Sequence, residues 1–144
     1  MTKRILVAYD GSDLSREAVY EARNQACETP KREIHIVSVI NPTGPVTNAV
    51  VSRSIGNEMA EKLRSEMDVL KEQMASSDVD VITEVLVSKV EGNPGISICK
   101  YADEQAVDLI IVGSRGLGKV KKMFLGSVSN NVVQHANCPV LVMK

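Results

Sequence analysis

A chain of 144 residues, 44% hydrophobic and 24% charged, has the size and composition of one globular domain and is unlike a disordered or low-complexity segment. Its 17 basic and 18 acidic residues leave a formal net charge of -1, so a nucleic-acid partner held by a broad basic surface is not expected and any basic site must be local. Three cysteines, Cys27, Cys99 and Cys138, contain no C-x-x-C pair, which speaks against a disulfide framework or zinc ribbon and for a reducing cytoplasmic location, and no apolar run has the length of a membrane span.

The first apolar run, residues 5–9, predicts a buried strand, and Asp10-Gly11-Ser12-Asp13 follows as a turn in which Ser12 or Asp13 can cap a helix. That helix sets Leu14, Ala18, Ala22 and Ala26 on one stripe and leaves Arg16, Glu17, Glu21 and Arg23 for solvent. Residues 33–40 are a second strand rich in β-branched side chains, ended by Asn41-Pro42 and a loop containing Gly44 and Pro45. Ile55, Met59, Leu63, Leu70 and Met74 recur at helical intervals, which predicts a long amphipathic helix with Glu61, Lys62, Arg64 and Glu66 off its apolar stripe and a loop over 41–54.

Residues 79–87 alternate as a third strand, and Asn93-Pro94 starts a helix that runs to about Gln105, with Asn93 as cap and Pro94 in the first turn. Residues 108–112 form a continuous apolar strand of the kind buried on both faces; a loop to 125, a helix over 126–136 and a last strand, Val140–Met143, complete the chain. Strict β-α alternation with right-handed crossovers predicts a doubly wound, Rossmann-like α/β fold, with a five-stranded parallel sheet in the order 3-2-1-4-5 and helices on both faces. Ligands of such folds bind where the winding reverses, here between the first and fourth strands.

The segment 113–129 leaves the fourth strand and enters a helix without a single acid. Its glycines let backbone amides approach a ligand, and the following helix start offers unpaired N–H groups and a positive dipole to an anion. Ser127 and Ser129 add hydroxyls, while Arg115, Lys119, Lys121 and Lys122 add a local positive field of the kind a phosphate chain requires. The string from Gly113 to Lys119 also satisfies G-x-x-x-x-G-K, but Val120 stands where a phosphate-binding P-loop needs Ser or Thr for magnesium, so that match is a coincidence.

Gly113-x2-Gly116-x9-Gly126-Ser127, placed directly after the fourth strand, resembles the nucleotide-binding signature of the universal stress protein family, and the likeness extends from residues 5–12 to residues 138–142. The resemblance implies ATP as ligand, accompanied by Mg2+ or Mn2+. It assigns Asp10 to the nucleoside, Ala8 to the floor beneath it and the Val39 backbone to adenine. Val112, Gly113, Arg115 and Gly116 are implied along ribose and phosphates, and Gly126, Ser127, Val128 and Ser129 at the phosphate chain. It also implies a homodimer formed through the last strand, Val140–Met143, an edge that invites antiparallel pairing.

Several of these residues carry simpler readings as well. Asp10 suits a turn before a helix, and Val39 suits plain core. His35 and His135 have no neighbouring Cys or acid at metal-ligand spacing, and Cys138 before Pro139 reads as packing. Three functions compete: a nucleotide-dependent regulatory or stress-response protein, a weak ATP hydrolase or nucleotidyl-transfer enzyme, and a dimeric interaction module that needs no nucleotide. Hydrolysis requires a water-positioning acid or Gln and firm metal ligands, neither of which stands out over 113–129, and the complete glycine signature argues against the third. The regulatory reading leads, with ligand-induced ordering of the loop over 41–54 as its expected switch.

Overall fold

The computed structural model describes residues 2–26, 30–40, 49–76, 78–87, 93–114 and 126–144. Among them strands and helices alternate as β1 (Thr2–Ala8), α1 (Asp13–Gln25), β2 (Lys31–Ile40), α2 (Ala49–Met74), β3 (Val79–Val87), α3 (Pro94–Glu104), β4 (Leu109–Gly113), α4 (Ser127–His135) and β5 (Val140–Met143). The five strands are parallel and lie in the order β3-β2-β1-β4-β5, as the sequence predicts.

Register puts like beside like: Ile5 stands between Ile34 and Leu109, and Val7 between Ile36 and Ile111. Successive side chains of a strand point to opposite faces, so these rows commit one face of the sheet to Ile5, Val7, Ile34, Ile36 and Ile111. That face is covered by Ala18, Val19 and Ala22 of α1 and by Met67, Leu70 and Met74 of α2. The opposite face, with Leu6, Val37, Ile110 and Val112, is covered by Ile98, Cys99 and Ala102 of α3 and by Val132 of α4. Complete burial of one such Ile, Leu or Val stabilises the fold by about 1.5–3 kcal/mol. With α1 and α2 on one face and α3 and α4 on the other, the winding reverses between β1 and β4.

The largest departure from the sequence reading is α2. It begins at Ala49, so residues 49–54, read above as loop, are helical; 41–48 lie outside the described residues. No Gly or Pro stands between Val46 and Ile55 to stop a helix from growing backwards from its amphipathic body. Of the predicted stripe, Leu70 and Met74 are buried and Leu63 packs against the core, whereas Met59 is 52% exposed; Ala60 and Met67 are buried beside them. Spacing from Leu63 to Leu70 leaves a gap of two turns, and Met67 fills it.

Both sequence-predicted caps are present. Ser12 is extended (φ -73, ψ 160) and its Oγ accepts from the Ser15 N–H at 3.2 Å, while Asn93 Oδ1 accepts from the Gly95 N–H at 2.8 Å ahead of Pro94. Ser12→Ala is therefore expected to lower stability by about 1 kcal/mol, read as a shift in urea midpoint at unchanged slope.

Candidate functional site

At the carboxyl ends of the central strands a cavity of about 310 Å³ opens. Its apolar lining comes from Ala8 of β1, Val37 and Val39 of β2, Val112 of β4 and Ile98 of α3. Polar groups come from the β1–α1 turn, with Asp10, Ser12 and Ser15, and from the start of α4, with Ser127 and Ser129.

The cavity gathers every sequence-named site residue that the structure describes. Ala8, Asp10, Val39, Val112 and Gly113 line it from the strand ends, and Gly126, Ser127, Val128 and Ser129 line it from α4. Arg115 and Gly116, with Lys119, Lys121 and Lys122, lie outside the described residues. The sequence reading missed Tyr9, Ser12, Ser15, Val37, Pro94 and Ile98 as lining. Two of these were legible, since Val37 shares a strand face with Val39 two residues on, and Ile98 lies one helical turn beyond Pro94.

Helix starts differ around the cavity in a way that selects one of them for an anion. In α1 and α3 one first-turn amide is already taken by a side-chain cap, Ser15 N–H by Ser12 and Gly95 N–H by Asn93. Helix α4 starts at Gly126, which has no side chain to offer, and among the described residues no side chain caps it. The amides of Ser127, Val128 and Ser129 therefore carry the positive end of the helix dipole into the cavity without a side-chain cap among the described residues. Their position is fixed by the Gly126 N–H, which donates to the Ser114 carbonyl at 2.7 Å and ties α4 to the end of β4. Ser129 Oγ donates to the Gly126 carbonyl at 2.9 Å, which further stiffens this turn. Helix α3 braces it from the side: a Cβ on Gly95 would lie 2.7 Å from the Val128 carbonyl oxygen, an approach that the missing side chain permits.

At the opposite wall, Asp10 Oδ1 accepts from the Ser12 N–H at 2.9 Å, and Gly11 adopts φ +88. Asp10 thus closes the turn and lines the cavity at once, and among the described residues its Oδ2 takes no hydrogen bond. Beside it, Tyr9 is buried and its hydroxyl donates to Glu66 Oε2 at 2.8 Å. Burial, reinforced by the hydrogen bond to Glu66 and its charge, pushes the Tyr9 hydroxyl up to about 12 from 10.0. Tyr9 is consequently a hydrogen-bond donor at neutral pH and not a base.

The same shift has a consequence for stability. Between about pH 10 and 12 the unfolded chain has lost this proton and the native state still holds it, so stability falls as pH rises through that window. Below pH 10 the contribution is complete. Urea midpoints from pH 8 to 12 are expected to fall more steeply for the wild type than for Tyr9→Phe, which lacks the proton.

Other reactive side chains are engaged elsewhere. His35 Nε2 lies 2.9 Å from Glu33 Oε1 and its Nδ1 2.8 Å from the Tyr101 hydroxyl, while His135 Nδ1 lies 3.0 Å from the Asn131 carbonyl. Burial raises the thiols of Cys99 and Cys138, which keeps both protonated. Among the described residues no group of three or more His, Cys, Asp or Glu could hold a metal ion, and no helix is long and apolar enough to cross a membrane.

Known proteins resemble this one along the whole chain. The model of the universal stress protein family matches residues 1–144. Universal stress protein YxiE of Bacillus subtilis is 32% identical over 152 residues, covering 100% of both chains. A universal stress protein of Thermus aquaticus is 34% identical over 144 residues, again 100% of both. Among solved structures, UspA from Lactobacillus plantarum superposes with a TM-score of 0.86 at 27% identity, over 99% of this chain and 97% of that one. Protein MJ0577 of Methanocaldococcus jannaschii gives 0.85 at 28% identity, over 99% and 95%. With matches that run from end to end and a sheet of the same topology, the chain belongs to the universal stress protein family.

Proposed function

We propose that the chain is a single-domain, ATP-binding regulatory protein that holds its nucleotide in the cavity between β1 and β4. The observation that carries this reading is the start of α4, which has no side-chain cap among the described residues and faces a cavity whose other helix starts are capped by Ser12 and Asn93. Ala8, Val37 and Val39 offer the apolar surface that a purine ring needs, Asp10 an acceptor for ribose hydroxyls, and Ser127 to Ser129 amide donors for phosphate. Arg115 and Gly116 are proposed along the phosphates on the strength of the glycine spacing. Two proteins of this fold are known in complex with cAMP and, from Archaeoglobus fulgidus, with dAMP; at 24% and 21% identity the likeness is one of fold.

Mg2+ or Mn2+ fits this reading as a companion of the phosphates. With no protein ligand cluster among the described residues, phosphate oxygens and water supply most of its coordination, which is the usual habit of Mg2+. Among the described lining residues Asp10 is the one carboxylate, and it belongs to the turn proposed for the nucleoside. Binding, rather than turnover, is therefore the proposed activity.

The proposal includes a cytoplasmic homodimer. Strand β5 is a sheet edge whose Val140, Leu141, Val142 and Met143 are all half-buried, so antiparallel pairing of two copies covers apolar surface as well as free backbone groups. The direct test of function is to denature the purified protein and identify released nucleotides by chromatography and mass spectrometry. Adenine nucleotide released from the protein, or taken up by it on addition, is expected. A well-folded protein that neither carries nor takes up nucleotide contradicts the reading and favours the nucleotide-independent interaction module.

A further inference from the structure

The turn that carries Asp10 is held from behind by α2, none of whose described side chains lines the cavity. Tyr9, immediately before the turn, is fixed by its backbone to β2: its N–H donates to the Val37 carbonyl at 2.8 Å, and its carbonyl accepts from Ser38 Oγ at 2.7 Å. Its side chain reaches the other way, to Glu66 of α2, 57 residues along the chain. Ser38 Oγ also lies 3.4 Å from Met67 Sδ, so the residue before Asp10 is linked to two consecutive positions of α2, one directly and one through Ser38.

We propose that Tyr9 and Glu66 form a positioning pair that holds the Asp10 turn in its ligand-binding arrangement and couples occupancy of the cavity to the docking of α2. This rests on the nucleotide reading above and concerns the regulation of that same site.

Three observations carry it. Glu66 Oε2 lies 3.4 Å from where a Cβ on Gly11 would stand, so the carboxylate is seated directly against the turn. Gly11 at φ +88 holds a conformation that the turn does not enforce by side-chain bulk, and it gains definition from what packs against it. The rest of α2 docks through Met67, Leu70 and Met74, apolar contacts that tolerate sliding, whereas an O–H···O⁻ bond at 2.8 Å from a buried phenol fixes one register.

Coupling is reciprocal by linkage: whatever the pair adds to nucleotide affinity, bound nucleotide adds to the pair, and hence to the hold on α2. Helix α2 is then the element through which an occupied cavity presents a different surface.

The test titrates ATP with Mg2+ into wild type, Tyr9→Phe, Glu66→Ala and Glu66→Gln by calorimetry, below the melting temperature of each, with hydrogen exchange of α2 followed with and without nucleotide. Tyr9→Phe and Glu66→Ala are expected to weaken binding about 5- to 10-fold, because only part of the free energy of one charge-assisted hydrogen bond is transmitted to the site. Glu66→Gln keeps an acceptor oxygen and is expected to stay within about 2-fold, and the double variant Tyr9→Phe/Glu66→Ala to be no worse than either single one. Nucleotide is expected to slow exchange in α2 around Glu66 in the wild type and not in Tyr9→Phe. Tyr9→Phe removes one oxygen and carries the comparison alone if Glu66→Ala does not fold. Wild-type affinity together with wild-type α2 protection in a folded Tyr9→Phe overturns the pair's role and leaves the nucleotide reading intact. No binding by the wild type overturns the nucleotide reading itself, and the coupling with it.

Discussion

Gly126→Val is expected to lower ATP affinity by about 100-fold or more while the protein remains folded. Gly126 sits at φ -60, ψ 160, a conformation open to any residue, so valine enters without backbone strain. Its Gly126 N–H bond to Ser114 also survives the change. What changes is the mouth of α4: an isopropyl group now stands where the helix start meets the cavity, in front of the Ser127, Val128 and Ser129 amides. Hydrogen bonds to a charged partner contribute about 1.5–3 kcal/mol each, and the loss of two of them corresponds to the expected factor. Calorimetric titration gives the affinity, and far-ultraviolet circular dichroism with a urea melt confirms the fold. Undiminished affinity would show that the anion, if bound, does not sit on this helix.

The second large effect is on stability. Ile111→Ala is expected to cost about 3 kcal/mol, within the range for deleting a fully buried branched side chain. Ile111 is wholly buried, paired in register with Val7 and Leu141, and belongs to the cluster that joins β1 and β4 to α1 and α2. Domains of this size are stable by only about 5–15 kcal/mol, so one substitution removes a large share. By contrast Val69→Ala, at a site 55% exposed on α2, is expected to change stability by less than about 0.5 kcal/mol. Urea denaturation of the two variants separates the cases.

Much of this architecture is legible in the sequence because parallel sheets write themselves in local patterns. Leu109, Ile110, Ile111 and Val112 are apolar in unbroken succession because both faces of β4 are covered, and that run locates the sheet's centre. Ser12 and Asn93 announce helix starts by side-chain chemistry acting within three residues. The glycine spacing around Gly113 and Gly126 marks the corner where β4 feeds α4, and the residues named from it line one cavity.

What the sequence hides is whatever depends on partners far along the chain. The sheet uses Leu70 and Met74 of the expected α2 stripe together with Met67, which the spacing alone does not name, and leaves Met59 exposed. Glu66 reads as a solvent-facing charge by periodicity alone, and only the fold brings it to the Tyr9 hydroxyl. The selection of α4 over α1 and α3 for an anion is likewise a comparison among three helix starts that meet only in the folded chain.

The most direct test of the central claim is an amide nuclear magnetic resonance titration of the labelled protein with ATP and Mg2+. The account predicts that the largest shifts fall on Ser127, Val128 and Ser129, with further shifts at Asp10, Val39 and Gly113, all of which line the cavity. A spectrum that does not change, or shifts confined to residues away from the start of α4, would contradict it.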